Sequence, residues 1–259
     1  IGIVFQLLLL LNKTKELLLN HIDIINSFEE YKKLNSLTIL YIILIESIGQ
    51  LYVITDRYFY SMVPIGAISS LNYASTIFQL PLLIISMALS TAIFPKFSQL
   101  IHQKLFADLE KILNEAIRVN IIIFIPIMFL LIFYGETILR IIFERGNFSY
   151  SNTIMTHTVL VYYSLSIVFY STYSILNKII YSADLISELL YITLLGITLK
   201  IVFNFLLVGK FEHEGLALST SITYLFFFFS SLFLVYRRIP FVNKFIFFKE
   251  SLYHLLNGI

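Results

Sequence analysis

Residues 119–143 read VNIIIFIPIMFLLIFYGETILRIIF, and the charges among them, Glu136 and Arg140, both fall near the end of the run. As a helix rising 1.5 Å per residue, such a run is about 37 Å long, enough to cross a hydrocarbon core of ~30 Å. Further apolar runs such as LLIISMALS (82–90) and YLFFFFSSLFLV (224–235) are just as continuous. Strands of a membrane barrel would instead alternate apolar and polar residues over about ten positions. Working outward from 119–143, further spans are predicted at 36–60, 67–94, 154–181, 184–208 and 215–236. The fold class is an all-α membrane protein with about six transmembrane helices and partial helices at both ends.

Composition points the same way. The 259 residues are 58% hydrophobic and 13% charged, with a mean hydropathy of +0.86, whereas soluble domains carry roughly 25% charged residues. That apolar excess does not fit inside one soluble core. Eighteen basic against sixteen acidic residues give a net charge of +2, and with no basic tract there is no case for nucleic acid. The absence of cysteine excludes disulfides and thiolate metal sites.

Residues 1–11 read as the end of a truncated transmembrane helix and 12–35 as a cytoplasmic loop. Residues 36–236 form the six-helix body, and 237–259 start a further or interfacial helix. Thirteen Lys and Arg residues fall on the side of the 12–35 loop, against Arg57, Arg140, Arg145 and Lys210 on the other. The positive-inside rule makes the first side cytoplasmic, so the first full span runs outward. Pro81 and Pro126 are expected to interrupt their spans, since proline removes a helix hydrogen bond.

Ionisable and polar residues within spans are costly and mark candidate sites. Glu46, Gln50 and Arg57 share one helical face through spacings of 4 and 7. That face looks either into a wet cavity or, in the structural alternative, holds an interhelical hydrogen bond at Glu46 and a snorkelling Arg57. Asn72, Ser75, Thr76 and Gln79 form an uncharged stripe suited to packing or to substrate contact. Lys200 and Asn204 lie one turn apart, as do Leu216 and Thr220 on the next span. Counting from the span ends puts Asp56, Lys200, Asn204 and Thr220 roughly 6–12 Å below the outer surface. Lys200 therefore has either Asp56 as a partner or a snorkelling route to water. Glu212, His213 and Glu214 are adjacent, and three adjacent residues do not share a face, so metal binding is not expected there. No nucleophile triad, phosphate loop or carboxylate pair supports an enzyme.

The strings GQLYVITDRYFYS, SSLNYASTIFQLPLLIISMALSTAIFPKFSQL, IIFERGNFSYSNT and HEGLALSTS, in this order and spacing, resemble the second lobe of MurJ/MviN-type lipid II flippases. The resemblance implies a fold of the multidrug/oligosaccharidyl-lipid/polysaccharide (MOP) exporter, MATE-like class. In that fold two six-helix lobes surround a central cavity, and this chain corresponds to lobe two. It further implies alternating-access transport of an undecaprenyl-pyrophosphate-linked peptidoglycan precursor across the bacterial inner membrane, with no bond made or broken. The implied partners are the lipid-linked substrate, membrane lipids and the missing N-terminal lobe. On this reading Glu46, Gln50, Arg57, Asn72 and Gln79 line the substrate cavity.

Two departures from the family pattern stand out. Ser75 and Thr76 occupy places where the family commonly has an acidic or amide residue followed by a diphosphate-facing arginine. A family sodium site maps by resemblance onto Asp56, Lys200, Asn204, the Leu216 carbonyl and Thr220, but a protonated lysine cannot ligate sodium. The expectation is that the Lys200 ammonium stands in place of the ion, so that no cofactor is required. An exporter of another lipid-linked oligosaccharide, or a non-transporting scaffold or decayed gene fragment, remains the alternative.

Overall fold

The computed structural model describes residues 36–64 and 66–241. The helix end expected at 1–11, the loop at 12–35 and the part of the 237–259 segment beyond 241 lie outside the described residues. The chain divides into two compact units, Ile1–Ile43 and Leu44–Ile259. Of the first, only residues 36–43 are described, and the second holds all the other described residues.

Helix α1, Ser36–Phe59, closes on a 3-10 turn at Tyr60–Met62. Gly66, at φ +91°, adopts the left-handed conformation that starts α2, Ala67–Pro81. A π-helical turn at Leu82–Ser86 carries α2 into α3, Met87–His102, and α4 follows at Phe106–Phe143. Then come α5 (Tyr150–Ser164), α6 (Ile167–Ser182) and α7 (Ile186–Arg238). Among the described residues there is no strand.

The turns after α3 and α6 are built alike. Lys104 and Asp184 take positive φ values of 57° and 56°, and the N–H groups of Leu105 and Leu185 donate to the carbonyls of Leu100 (2.9 Å) and Ile180 (3.1 Å). This is the bond that closes a helix through a left-handed residue.

Several expected boundaries shift for physical reasons. α4 begins at Phe106 rather than 119, because its polar first half is amphipathic: Leu109, Leu113, Ala116 and Ile117 are buried at helical spacing while Lys111 and Glu115 face out. The interruption expected at Pro126 does not occur, and the helix continues through it. Pro81 sits where the α-helical pattern gives way to the π turn, so the chain adjusts there without stopping. The span expected at 154–181 is instead two helices, α5 and α6, bent by 44°. Ser164 Oγ donates to the Leu160 carbonyl at 2.7 Å and Ser166 Oγ to that of Tyr163 at 2.8 Å, the serine back-bonding that loosens and bends helices.

Four helices among the described residues are long and apolar enough to cross a membrane, and the bent pair, taken as one span, counts as a fifth. α7 supplies two crossings rather than one. As a straight rod its 53 residues would measure about 80 Å, yet Arg238 Nη2 and Glu188 Oε1 at its two ends form an ion pair at 2.5 Å. The reversal lies at Glu212, whose φ of 49° and ψ of −128° leave helical geometry. The outward arm is 186–211 and the return arm 213–238, which brings the candidate crossings to six.

The bent pair is the hub of the packing: α5 touches α2, α4 and α7, and α6 touches α3, α4 and α7. Fully buried Asn120 on α4 donates to Ser171 Oγ (2.9 Å) and Thr172 Oγ1 (3.0 Å) on α6. Interhelical hydrogen bonds in membranes are worth about 0.6 to 2 kcal/mol. Asn120→Ala is expected to cost about 1 to 2 kcal/mol, read as a lowered unfolding midpoint in detergent.

Candidate functional site

Near the outer end, α1 meets the two arms of α7. Lys200 on the outward arm and Asp56 on α1 form an ion pair of 2.9 Å, with the lysine side chain wholly buried and the carboxylate 23% exposed. The ammonium also donates to the Leu216 carbonyl at 3.2 Å, to Ser219 Oγ at 3.1 Å and to Thr220 Oγ1. Three N–H donors thus face four oxygens. Asn204, one turn along from Lys200, donates from Nδ2 to Asp56 Oδ1 at 3.0 Å, and its own Oδ1 contacts Ser219 Oγ. An isolated ammonium at this depth would be very costly, and the oxygen cage with one carboxylate offsets that cost.

Local sequence explains the cage. Lys200 and Asn204 share a face because they are one turn apart, and Leu216, Ser219 and Thr220 share one because they are three or four apart. Gly215 lets the arms meet: a Cβ there would lie 2.6 Å from the Leu207 carbonyl oxygen across the hairpin.

Two cavities lie one above the other within this unit. The outer one, of about 200 Å³, is lined by Asp56, Thr220, Asn72, Ser75, Tyr52 and Tyr163 among others. The inner one, of about 440 Å³, is lined by Glu46, Lys178, Asn177, Ser174 and the phenols of Tyr170, Tyr173 and Tyr181 among others. Phe78, Gln79 and Tyr224 line both and form the partition between them. Phe78 stacks on Tyr163 on the outer side (5.5 Å between ring centroids) and contacts Tyr170 on the inner side (6.5 Å). Phe78 is eleven residues into α2, or about 17 Å from its start, so the partition lies about three helical turns along α2.

Of the residues singled out from sequence, Asp56, Lys200, Asn204, Leu216 and Thr220 are brought together. Asn72 reaches the outer cavity, Glu46 the inner one and Gln79 both. Gln50 and Arg57 are exposed and line neither. Sequence reasoning missed Ser219, which bridges Lys200 and Asn204, and the α6 stripe of Tyr170, Tyr173, Asn177 and Lys178. The signal for that stripe was its helical spacing of three, four and one. At the turn between the arms of α7, His213 is largely buried.

A family model described as "Lipid II flippase MurJ" matches residues 1–257. The chain belongs to the MurJ family. Among its curated MurJ relatives, a probable lipid II flippase MurJ of Rickettsia prowazekii is 34% identical over 157 residues, covering 61% of this chain and 31% of the relative. One from Buchnera aphidicola subsp. Schizaphis graminum is 31% identical over 174 residues, covering 67% of this chain and 34% of the relative. The chain thus spans about a third of the length of these curated MurJ relatives. A solved lipid II flippase MurJ in an inward closed conformation superposes with a TM-score of 0.71 at 27% identity, over 83% of this chain and 44% of that one. A MOP superfamily transporter from Pyrococcus furiosus shares the fold at 14% identity, with a TM-score of 0.67 over 85% of this chain and 50% of that one. The chain is therefore a multi-pass membrane protein of the MurJ family, and it shares its fold with that MOP superfamily transporter.

Proposed function

We propose that this chain is the second six-helix lobe of a lipid II flippase in the bacterial inner membrane. It works with a first lobe, passing an undecaprenyl-pyrophosphate-linked precursor across without making or breaking a bond. The family match over residues 1–257 carries this reading. The two cavities support it, because polar side chains line both and Phe78, Gln79 and Tyr224 separate them.

The Lys200 ammonium takes the place of a diffusible sodium ion in the oxygen cage. Charge balance supports this: one carboxylate, Asp56, faces one tethered cation. A second reading, transport of another lipid-linked oligosaccharide, draws on Ser75 and Thr76. Their hydroxyls donate back to the Asn72 carbonyl at 2.9 and 2.8 Å and offer no positive charge to a diphosphate.

The test is rescue of a flippase-depleted bacterium by this chain together with its first lobe, in media where potassium replaces sodium. Rescue independent of sodium is expected, and Lys200→Asn is expected to make it sodium-dependent. Failure of a well-expressed protein to rescue moves the weight to the other lipid-linked sugars. Rescue that requires sodium in the unmutated protein overturns the tethered-cation reading.

A further inference from the structure

The inner cavity carries two opposite charges that the cage does not use. Glu46 enters it from α1 and Lys178 from α6, and among the described residues neither takes part in an ion pair. The Lys178 ammonium sits 5.8 Å from the centroid of the Phe94 ring, a weak cation–π contact that leaves its hydrogen-bonding capacity available. The lining also includes the polar side chains of Ser174, Asn177 and Gln79 and the tyrosines of α6. At about 440 Å³ the space falls in the range of small-ligand sites, a few hundred to a thousand Å³. Its wall includes Leu82 and Leu83 of the π-helical turn, a distortion that recurs at functional sites.

We propose that this cavity binds a zwitterionic, amino-acid-like group, with its ammonium at Glu46 and its carboxylate at Lys178. Charge selects this class. A diphosphate would meet one cation and be repelled by one carboxylate, and an apolar ligand would leave both charges and the amides unmatched. A zwitterion cancels both charges at once. The proposal rests on the flippase reading only in treating the group as the peptide portion of the transported headgroup.

The test uses the full chain in lipid nanodiscs and three soluble probes: dialanine with both ends free, N-acetyl-dialanine and dialanine amide. Ligand-observed NMR titration is expected to show free dialanine binding at least tenfold more tightly than either blocked form. Glu46→Gln should remove the penalty of acetylation and keep that of amidation, and Lys178→Gln should do the reverse. A misfolded variant loses all three probes together, and the comparison of probes on the unmutated chain needs no variant. Equal affinity of free and blocked dialanine, or no binding of the free form, overturns the proposal. Genetic rescue without probe discrimination removes this site and leaves the flippase reading, whereas discrimination without rescue does the opposite.

Discussion

Asp56→Asn is expected to destabilise the protein by about 3 to 5 kcal/mol, the cost of leaving one member of a buried ion pair uncompensated. Lys200 is wholly buried, and the acceptors that remain around it, a carbonyl and two hydroxyls, are dipoles without net charge. Lys200→Met should cost less, because the 23% exposure of Asp56 lets its carboxylate recover hydration. The double variant Asp56→Asn/Lys200→Met should be milder than Asp56→Asn alone, since a matched neutral pair replaces an orphaned charge. Unfolding midpoints of the four proteins in one detergent give the coupling directly. Strict additivity of the two single changes would show that the pair contributes nothing as a pair.

Gly215→Ala is the second large effect, expected near 3 kcal/mol, at the upper end of ordinary overpacking. The obstacle to a Cβ is backbone: the Leu207 carbonyl oxygen at 2.6 Å, its carbon at 2.7 Å and the Val208 nitrogen at 3.0 Å. No rotamer change relieves that contact, so the arms of α7 must separate, taking Leu216, Ser219 and Thr220 away from Lys200. Gly209→Ala, on the same hairpin with nothing within 4 Å of its added carbon, should be neutral or gain up to about 1 kcal/mol from helix propensity. Thermal unfolding of both variants checks the contrast. Equal behaviour would mean that the hairpin contact is not what holds the arms together.

Depth was legible in the sequence because helices rise at a fixed rate and spans run antiparallel. Counting from the ends was enough to place Asp56, Lys200, Asn204 and Thr220 at one level, and the structure puts them in contact. Which neighbour a face meets was not legible. Glu46, Gln50 and Arg57 share a stripe by spacing, but only Glu46 reaches a described cavity, while the apolar Val53 between them lines the outer one. Ser219 escaped notice because adjacent helix positions differ by about 100°, whereas a cage around one ammonium accepts ligands from both. The tyrosines of α6 read as part of an apolar span, since their hydroxyls acquire meaning only when α1 and α2 close the cavity around them. The bend at 165–166 carried no proline or glycine to announce it.

The break at Glu212 does more than turn the chain. Four titratable residues, Lys210, Glu212, His213 and Glu214, crowd the tip of a hairpin whose arms are mostly apolar, and drawing such residues toward the bilayer centre costs on the order of 3 kcal/mol apiece for charged groups. Sliding the hairpin inward by one turn, about 5.4 Å, would pull that tip out of the interface, and sliding it outward would drag the Arg238–Glu188 clasp into lipid. The polar tip and the clasp thus act as a pair of stops that set the hairpin's register, so the height at which Lys200 meets Asp56 is fixed from both ends of the hairpin.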